Sequence, residues 1–486
     1  MSAEVQSATD FRITSLVISR PDGSNPLAIS KIAAEFSYIE NIKYPCVMGT
    51  LVLVDSAGLL NRLPIQGGEN VKIRLKTAVS KNEVELNMRV WKIAGRYAKN
   101  KDQLYTLNLI SEELLNNETV RVLTPLNGKP NDIIKSLISN NLKSKKSFFS
   151  EPCLMEVKLL AARKRIFDII SMLLPRSVSQ ELHSAAEIPS VANQVNKSLS
   201  KIPPTQKEGE QKPAVGGSAG FLFWENRRGF NFFSVDTLCS NKESKYYKFS
   251  KPWGPYVEIM ANQDAPKDER FTIGDIRFDD ELDLVTSLRM GRYSTLMCFF
   301  NHSTGQYDEV EYNIKKAFKS QKHLGSQTEP TVIKIGKTET LADYPTRMIT
   351  ALLDHETWYN EAKPASPYPQ DGAVKPTPYG DRQLEWAAQA IARYDSLANQ
   401  TATMIIPGNI EICAGDKVDI RLASKLPDAS KTTTPWDTEN SGVYLVVEAS
   451  HTFSQMQGAN GRFTTTLRIA RDTHGMQDAS SNHGTK

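Results

Sequence analysis

The residues best suited to nucleophilic chemistry lie at 216–220, where Ser218 is the central residue of a Gly-x-Ser-x-Gly motif. In a nucleophile elbow this motif follows a strand and opens a helix, because that sharp turn exposes the serine hydroxyl. Here a stretch rich in Ser, Gln, Lys and Pro precedes the motif, and a hairpin pattern follows it. The sequence therefore favours a flexible linker over a catalytic serine.

Two further motifs resemble ligand-binding sites, and each lacks a residue that the chemistry requires. Residues 336–338 read Gly-Lys-Thr, as at the end of a phosphate loop, but Thr331 stands where the first glycine of the loop is needed. His355 and Glu356 begin a zinc-protease helix motif, but Tyr359 stands where the second histidine must lie one turn later. The sequence thus predicts no metal ligands and no cofactor.

Acid–base catalysis has equally little support in the sequence. The neighbouring carboxylates at 279–280 and 112–113 belong to adjacent residues and point in different directions, which is poor geometry for a catalytic pair. His451 has no other histidine near it in sequence, and we expect it to be a hydrogen-bonding residue of a strand. We therefore predict a protein that is not an enzyme and has no catalytic residues.

The charge of the chain argues against nucleic acid as a sequence-specific partner. Its 59 basic and 55 acidic residues leave a formal net charge of +4, whereas phosphate backbones are bound by dense basic surfaces. The five cysteines are far apart and form no Cys-x-x-Cys pair, which is typical of reduced thiols in a protein made in the cytoplasm. No signal-peptide core is visible at the start, and the longest apolar run, 166–174, is interrupted by Asp168 and Ser171, so no membrane span is expected.

A repeated pattern is the most informative feature of the elements around these motifs. Residues 68–75 (Gly-Glu-Asn-Val-Lys-Ile-Arg-Leu) and 415–422 (Gly-Asp-Lys-Val-Asp-Ile-Arg-Leu) share a turn glycine, an acidic residue and alternating apolar positions, the period of a half-buried strand. Each segment is followed by a strand, a polar turn and a second strand. The sequence predicts two copies of one β-barrel domain, whose equivalent apolar residues face the barrel interior. These core residues of the repeat are Val71, Ile73, Leu75, Val418, Ile420 and Leu422. The residues expected to face outward are Lys72 and Arg74 in the first copy and Asp419 and Arg421 in the second.

The expected fold class is mainly β with an α+β insert, in which two duplicated β-barrel domains flank a mixed α/β middle region. At roughly 150 residues per domain, 486 residues predict about three domains. Their expected bounds are 1–125 for the first barrel, 126–265 for the mixed domain with a flexible linker at 177–219, 266–318 plus 381–474 for the second barrel, 319–380 for an insertion and 475–486 for a flexible tail.

Helices and one aromatic hairpin complete the predicted elements. One helix is expected to begin at Asn131 as its N-cap and to continue to Leu142. A second is expected from Arg163 to a stop at Pro175, and a third from 381 to about 399. The aromatic residues of a hairpin at 221–233 are expected to be core residues, since no basic residues alternate with them on the strands.

A set of short segments carries a resemblance to a known family. The segments are 37–42, 49–56 and 63–69 near the start, the hairpin at 221–233, and 406–411, 415–418, 442–451 and 464–467 near the end. In this order they resemble the central baseplate hub protein of contractile-tailed, T-even-type phages, which is related to the hub portion of type VI secretion spike proteins. The resemblance rests on packing motifs and on the duplication rather than on a binding site.

The resemblance implies a structural role in assembly. In that family the two β-domains are tail-tube-like barrels, so that a homotrimer presents a pseudo-hexameric ring joining a threefold central spike to a sixfold tail tube. The implied partners are further copies of the chain, the central spike protein and tail-tube or tube-initiator proteins, with tape-measure and wedge proteins as further candidates. The implied location is the virion tail baseplate, assembled in the bacterial host cytoplasm.

Two alternative functions remain open on the sequence alone. The first is the hub of a phage-derived contractile injection system outside virions. The second is a tail-associated cell-wall hydrolase, which a buried Glu near an Asp within residues 130–270 would favour. A nucleic-acid-binding module is disfavoured by the balanced charge.

Overall fold

The computed structural model describes sixteen ranges of the chain, which together include both copies of the repeat. These ranges are 7–56, 58–80, 82–99, 102–154, 156–180, 218–240, 246–259, 268–280, 283–301, 306–318, 321–326, 334–335, 339–353, 386–425, 436–454 and 461–476. Most of the predicted linker at 177–219, most of the predicted insertion at 319–380 and nearly all of the predicted tail at 475–486 lie outside the described residues, as do 336–338, 355–356 and 359.

The first part of the chain consists almost entirely of strands, because apolar residues recur at every second position. Its elements are β1 (Phe11–Ser19), β2 (Leu27–Ala28), β3 (Ala33–Asn41), β4 (Met48–Asp55), α1 (Leu59–Arg62), β5 (Asn70–Thr77), β6 (Val84–Lys99) and β7 (Asp102–Ile110).

The middle part mixes short helices with short strands around its own apolar core. Its elements are α2 (Glu112–Thr119), β8 (Pro125–Gly128), α3 (Pro130–Ser136) with a following π-helical turn (Leu137–Asn141), β9 (Phe148–Ser150), β10 (Val157–Leu160), α4 (Ile166–Leu173) with a following 3-10 turn (Leu174–Arg176), β11 (Phe221–Asn226), β12 (Gly229–Ser234) and α5 (Val235–Cys239).

The last part returns to long strands. Its elements are β13 (Trp253–Glu258), a 3-10 turn (Glu269–Phe271), β14 (Thr272–Ile273), β15 (Asp275–Asp280), α6 (Leu284–Met290), β16 (Ser294–Asn301), β17 (Gln306–Asn313), α7 (Ile314–Ala317), β18 (Lys334–Ile335), β19 (Glu339–Thr340), a 3-10 turn (Leu341–Asp343), β20 (Arg347–Leu353), α8 (Ala387–Leu397), β21 (Gln400–Pro407), β22 (Lys417–Arg421), β23 (Gly442–Ser454) and β24 (Arg462–Arg471).

The fold is mainly β, and strands from both ends of the chain form one 14-stranded sheet. The main path of this sheet is β14-β13-β22-β23-β3-β4-β7-β6-β5-β1-β2, and β24, β21 and β15 branch from β23. The sequence predicts two closed barrels, whereas the described strands close no barrel and form a continuous open sheet. The physical reason is that β3 pairs with β23 of the other copy, which satisfies the backbone groups that each copy leaves open at this edge.

Strand pairing crosses two of the domain bounds expected from the sequence. β13 lies within the range expected for the mixed domain, but it pairs with β22 of the large sheet. β16 and β17 lie within the range expected for the second barrel, but they form a separate three-stranded sheet with β20.

The first two predicted helices lie close to their expected positions, with one wrong cap, whereas residues 381–385 at the expected start of the third lie outside the described residues. Lys129 is the N-cap of α3 and Pro130 is its first residue, while the Asn131 side chain accepts a hydrogen bond from Cys153 N at 3.1 Å. The Asn131 side chain therefore links α3 to the segment around Cys153 and does not cap the helix. α4 ends at Leu173, and Pro175 lies in the 3-10 turn that follows. No helix in the described ranges is both long and apolar enough to cross a membrane.

Each strand set has its own core, and the first core extends into the second copy. Leu51, Val71 and Leu107 lie in the first core, which also contains Phe453 and Phe463 from the second copy. Full burial of such side chains stabilises by about 1.5–3 kcal/mol each. The junction between the copies is therefore packed as well as hydrogen-bonded.

Candidate assembly surface

The two strand sets repeat one topology. The order is β3-β4-β7-β6-β5-β1 in the first copy and β15-β21-β24-β23-β22-β13 in the second. Neighbouring strands are antiparallel in both copies, except that β13 runs parallel to β22 whereas β1 runs antiparallel to β5. Each strand position of the first copy therefore has an equivalent in the second.

The apolar residues of the repeat lie inside the two copies. In the first copy Val71, Ile73 and Leu75 belong to a core that packs β5 against its neighbours. In the second copy the equivalent residues are buried in the core around β22, and they are Val418, Ile420 and Leu422.

The polar residues between them differ in their surroundings. Arg74 in the first copy forms a partly exposed ion pair with Glu85, with Nε and Oε2 separated by 2.7 Å. In the second copy Asp419, which we expected to face outward, is buried instead, and its Oδ1 lies 2.8 Å from Arg421 Nη1. Lys417, the residue before Val418, is also buried, its Nζ donates to Ser240 O, and burial lowers the pKa of its ammonium group to about 8. Arg421 contacts Met476 Sδ at 3.3 Å, so this face of β22 is covered by other parts of the chain.

An acidic turn precedes β5 in the first copy. Gly68 N donates to Val90 O at 2.7 Å, and Val90 N donates to Glu69 O at 2.9 Å. The Glu69 carboxylate accepts a hydrogen bond from Gln66 N at 2.7 Å, which fixes the turn from inside. Gly68 has a positive φ of 86°, a conformation that glycine adopts without strain.

The turn before β22 has the same hydrogen bonds at equivalent positions. Gly415 N donates to Val446 O at 2.9 Å, and Val446 N donates to Asp416 O at 2.8 Å. The Asp416 carboxylate accepts from Cys413 N at 3.1 Å, and Gly415 has a φ of 96°. The equivalence between the copies thus extends from the strand order to individual backbone bonds.

A bulge follows each of these turns at the same place. The register of β6 against β7 shifts at Trp91, and that of β23 against β24 shifts at Val447, in each case one residue after the valine bonded to the turn. Beyond a bulge a strand bends away and its outer edge becomes available to a new neighbour. In the second copy that neighbour is β3.

The pairing of β3 with β23 forms a seam between the copies, which we call the internal seam. Residues 35–41 of β3 pair antiparallel with residues 448–454 of β23. Phe36 stacks on Phe453 across the seam with ring centroids 5.9 Å apart, and Phe453 stacks on Phe463 at 4.2 Å. The internal seam therefore combines main-chain hydrogen bonds with an aromatic core.

The aromatic hairpin of the middle region fastens this seam from one side. The buried carboxylate of Glu40, on β3, accepts hydrogen bonds from Arg227 N at 2.5 Å and from Ala414 N at 2.9 Å. Trp224 Nε1 donates to Ala414 O at 2.9 Å. One carboxylate thus joins the hairpin turn, the first copy and the turn region of the second copy.

A bidentate ion pair strengthens the same contact. The Arg228 guanidinium donates to both carboxylate oxygens of Asp416, at 2.6 and 2.7 Å, and lies 3.8 Å above the Phe249 ring. The Asp416 side chain is buried, and removing one partner of a buried pair costs about 3–5 kcal/mol. The acidic residue of the second turn therefore also binds the middle region.

Burial shifts the pKa values of two groups at the seam in opposite directions, and both shifts favour the neutral form. Desolvation raises the pKa of Glu40 to about 7, although hydrogen bonds from Ala414 N and Arg227 N favour its charged form. Desolvation lowers the pKa of His451 to about 3. His451 Nε2 donates to Ile412 O at 3.2 Å, so Nδ1 accepts from Thr465 Oγ1 at 3.1 Å. His451 is thus a neutral, hydrogen-bonded strand residue.

A second buried network contains the serine of the sequence motif. Ser218 is buried, and its hydroxyl donates to the Asp236 carboxylate. Asp236 pairs with Arg393 of α8 at 2.9 Å, and Arg393 also contacts Asp472 at 3.2 Å. Asp472 in turn pairs with His323 at 2.6 Å. These contacts join α8, α5 and the end of β24, and Ser218 belongs to that structural network.

Two buried glutamates lie in the region where the hydrolase hypothesis expects its acid. Glu151 accepts hydrogen bonds from Ser234 N at 2.8 Å and from the Thr237 hydroxyl. Glu225 pairs with Lys146, and burial raises the pKa of Glu225. Both carboxylates contact groups that hold the middle region together.

The adjacent carboxylates of the sequence analysis also have separate structural partners. Asp279 accepts from Thr403 Oγ1 at 2.7 Å, and Glu112 pairs with Arg89 at 2.9 Å. Glu113 pairs with Lys146 at 2.5 Å. Within the described ranges no group of three or more His, Cys, Asp or Glu residues could hold a metal ion.

The internal seam is the structural feature that the sequence did not predict. A usable signal was strand length, since β23 (Gly442–Ser454) extends far beyond the short β22 (Lys417–Arg421) with which it pairs. Typical strands have about 5–6 residues, and the excess of β23 indicates a second neighbour. The bulge at Val447 marks the point where that neighbour begins.

Comparisons with known proteins give structural neighbours only. No family model and no curated protein matches the chain. Among solved structures, a tail protein from Neisseria meningitidis MC58 is 11% identical over 94% of this chain and 96% of its own, with a TM-score of 0.46. The 43 kDa tail protein of prophage MuSo2 from Shewanella oneidensis is 7% identical over 94% and 98%, with a TM-score of 0.42. A component of the E. coli type VI secretion system is 6% identical over 97% and 79%, with a TM-score of 0.40. These three similar structures are thus two tail proteins and one type VI secretion component.

Proposed function

We propose that this chain is the structural hub of a contractile phage-tail baseplate. Three copies form a pseudo-hexameric ring, in which each chain supplies two tube-like β-units. The ring acts as a symmetry adaptor between a threefold central spike and a sixfold tail tube. Its partners are further copies of itself, the spike protein and tube or tube-initiator proteins, and its place is the baseplate of the virion tail.

The observation that carries the proposal is the internal seam between two units of the same topology. Residues 35–41 of the first unit pair with residues 448–454 of the second, so one chain already contains two consecutive units joined edge to edge. A contact that joins unlike edges of equivalent units is heterologous, and its repetition gives a closed ring when the rotation closes. Two units per chain and a sixfold tube together require three chains.

The buried networks support a structural role. Ser218 contacts Asp236, and Glu40 joins three parts of the chain, so these polar groups hold elements together. We therefore propose that the chain is not an enzyme. Replacing Ser218 with Ala removes one buried hydrogen bond to a carboxylate, worth about 1.5–3 kcal/mol, and is expected to leave assembled baseplates infectious. Loss of infectivity in a Ser218→Ala phage that still assembles baseplates would favour the hydrolase alternative.

The experiment that tests the proposal is native mass spectrometry of the purified chain, alone and with its spike protein. We expect a trimer of the chain, either alone or bound to a trimeric spike. Interfaces of this obligate kind bury on the order of 2,000 Å² or more, so the trimer should survive dilution. Six copies or one copy in the assembled hub would contradict the proposal.

A further inference from the structure

Two strand edges in the described part of the chain have a neighbour on one side only. β6 pairs with β5 no further than Arg89, so residues 92–99 of β6 pair with β7 alone among the described strands. β15 pairs with β21 alone among those strands. Open backbone N–H and C=O groups on such edges are templates for pairing with another chain. We call them the β6 edge (92–99) and the β15 edge (275–280).

The two open edges are the equivalents of the two edges that form the internal seam. β6 holds the position in the first copy that β23 holds in the second, and β15 holds the position that β3 holds in the first. The internal seam pairs β23 with β3, and among the described strands the β6 edge and the β15 edge have no such pairing. A second copy of the chain brings the missing edge to each of them.

The register of the internal seam can be transferred to these edges. In the seam Thr452 pairs with Ser37. Tyr97 pairs with β7 at the position where Thr452 pairs with β24 in the other copy. Arg277 pairs with β21 at the position where Ser37 pairs with β4. The transferred register therefore places Tyr97 of one copy opposite Arg277 of the next.

The β6 edge and the β15 edge each contain one residue more than the equivalent strand of the internal seam. In the transferred register the two extra residues lie at the same point of the pairing. β6 has a second register shift, at Gly95 and Arg96, and β15 has one at Asp279. The paired stretches of β23 and β3 have no such shift. An extra residue on both strands at the same point keeps an antiparallel register in step, so residues 94–99 match residues 280–275 continuously.

The side chains along this register complement one another. Tyr97 is 61% exposed, and the Arg277 side chain is 81% exposed. A guanidinium over a tyrosine ring is a favourable cation–π pair. At the bulges the same register places Gly95 opposite Asp279, so the extra residue of β15 meets a residue without a side chain. Burying these groups against one another also covers an aromatic residue that is unusually exposed.

We propose that the β6 edge of one copy pairs antiparallel with the β15 edge of a second copy of this chain, with Tyr97 opposite Arg277. The pairing rests on the proposed function, because a ring of copies is what brings the two edges together. It assigns the contact between chains to the same kind of strand pairing as the internal seam. The junctions between chains then differ from the internal seam by one extra residue on each strand.

A disulfide experiment tests the register. Paired residues of antiparallel strands have Cα atoms about 4.5–5.5 Å apart, within the disulfide range of about 4.4–6.8 Å. The test variant carries Tyr97→Cys and Arg277→Cys in the full chain. The matched control carries Ala98→Cys and Arg277→Cys, because a shift of one residue places the two side chains on opposite faces. The unmodified chain gives the background of its native thiols, of which Cys298 alone among the described cysteines is partly exposed.

After mild oxidation, denaturing electrophoresis should show covalent dimers and trimers for the test variant, at least fivefold above the control. Native mass spectrometry of the same samples separates the two proposals. A trimer without register-specific cross-links would overturn the strand pairing and leave the proposed function standing. Cross-linked open chains without trimers would support the pairing and contradict the ring, and neither cross-links nor trimers would contradict both. Thermal unfolding of the variants confirms that the substitutions at these exposed positions leave the fold intact.

Discussion

The glycines of the two acidic turns show what the same backbone geometry costs in different surroundings. Gly68 and Gly415 have φ values of 86° and 96°. A Cβ atom on Gly68 would lie 3.6 Å from Pro21 Cγ, an ordinary contact, whereas one on Gly415 would lie 2.5 Å from Trp224 Cζ2. Trp224 is fully buried and cannot move aside freely.

We therefore expect Gly415→Ala to destabilise the protein more than its matched control Gly68→Ala. Both variants incur the strain of a left-handed residue, about 1–2 kcal/mol, and Gly415→Ala adds an overpacking cost of about 1–3 kcal/mol. Urea unfolding followed by tryptophan fluorescence measures both midpoints. Equal midpoints for the two variants would mean that the Trp224 contact is not rigid.

His451 predicts a pH dependence at the internal seam. Its folded-state pKa of about 3 lies below the ordinary value of 6.5, so the unfolded chain binds a proton that the folded chain does not bind between these values. The contribution of neutral His451 to the free energy of unfolding is therefore complete above pH 6.5. It declines by about 1.4 kcal/mol per pH unit as the pH falls towards 3. Glu40 has the opposite effect, because its raised pKa of about 7 makes stability decline as the pH rises from 4.5.

The two effects are separated by comparing the unmodified chain with His451→Gln, whose amide can still donate to Ile412 O. The difference in the free energy of unfolding between these two proteins should shrink by about 2 kcal/mol between pH 6.5 and pH 5. Urea titrations at a series of pH values measure it. A difference that stays constant with pH would show that His451 does not titrate as its burial requires.

At the scale of elements, the period of the apolar residues carried most of the predictable information. Alternation in 68–75 and 415–422 located β5 and β22, and Pro175 marked the end of a helix. The period of the apolar residues identifies strands but not their partners, so it could not predict whether the barrels close. β3 pairs with β23, which lies about 400 residues later in the sequence. The N-cap at Asn131 was wrong because a side chain that can cap a helix can equally accept a bond from Cys153 N.

The repeat core gives a prediction about single strands. Val71→Asp and Val418→Asp should each prevent assembly, because an unpaired charge in the core of β5 or β22 costs several kcal/mol. Lys76→Asp is the matched control, since Lys76 lies on β5 and is exposed. Gel filtration of the three variants should show aggregated or unassembled protein for the first two and unchanged assembly for the control. Normal assembly of either valine variant would contradict the place of that strand in the ring.

At the scale of the whole molecule, the proposed trimer would present six units, because each chain contains two copies of one strand topology. The internal seam fixes the relation of two units within a chain, and the hairpin contact of Glu40 holds that relation rigid. A ring then needs one more kind of junction, made three times. If that junction copies the internal seam, the six contacts around the ring are nearly alike, and the tube above meets six similar units.

This symmetry predicts that the junction between chains can be weakened and restored by a charge exchange at one pair. Arg277→Glu removes the cation that faces Tyr97 in the proposed register, and Tyr97→Lys places a second cation opposite Arg277, so each single variant should weaken the trimer. The double variant creates a Lys–Glu pair across the strands, worth about 0.2–1 kcal/mol at each junction. Sedimentation over a range of concentrations should show the double variant dissociating at lower concentration than either single variant, and salt near 1 M should abolish the recovery, because exposed charges are then screened within about 3 Å. A double variant weaker than both single variants would place these residues apart and require another contact between the chains.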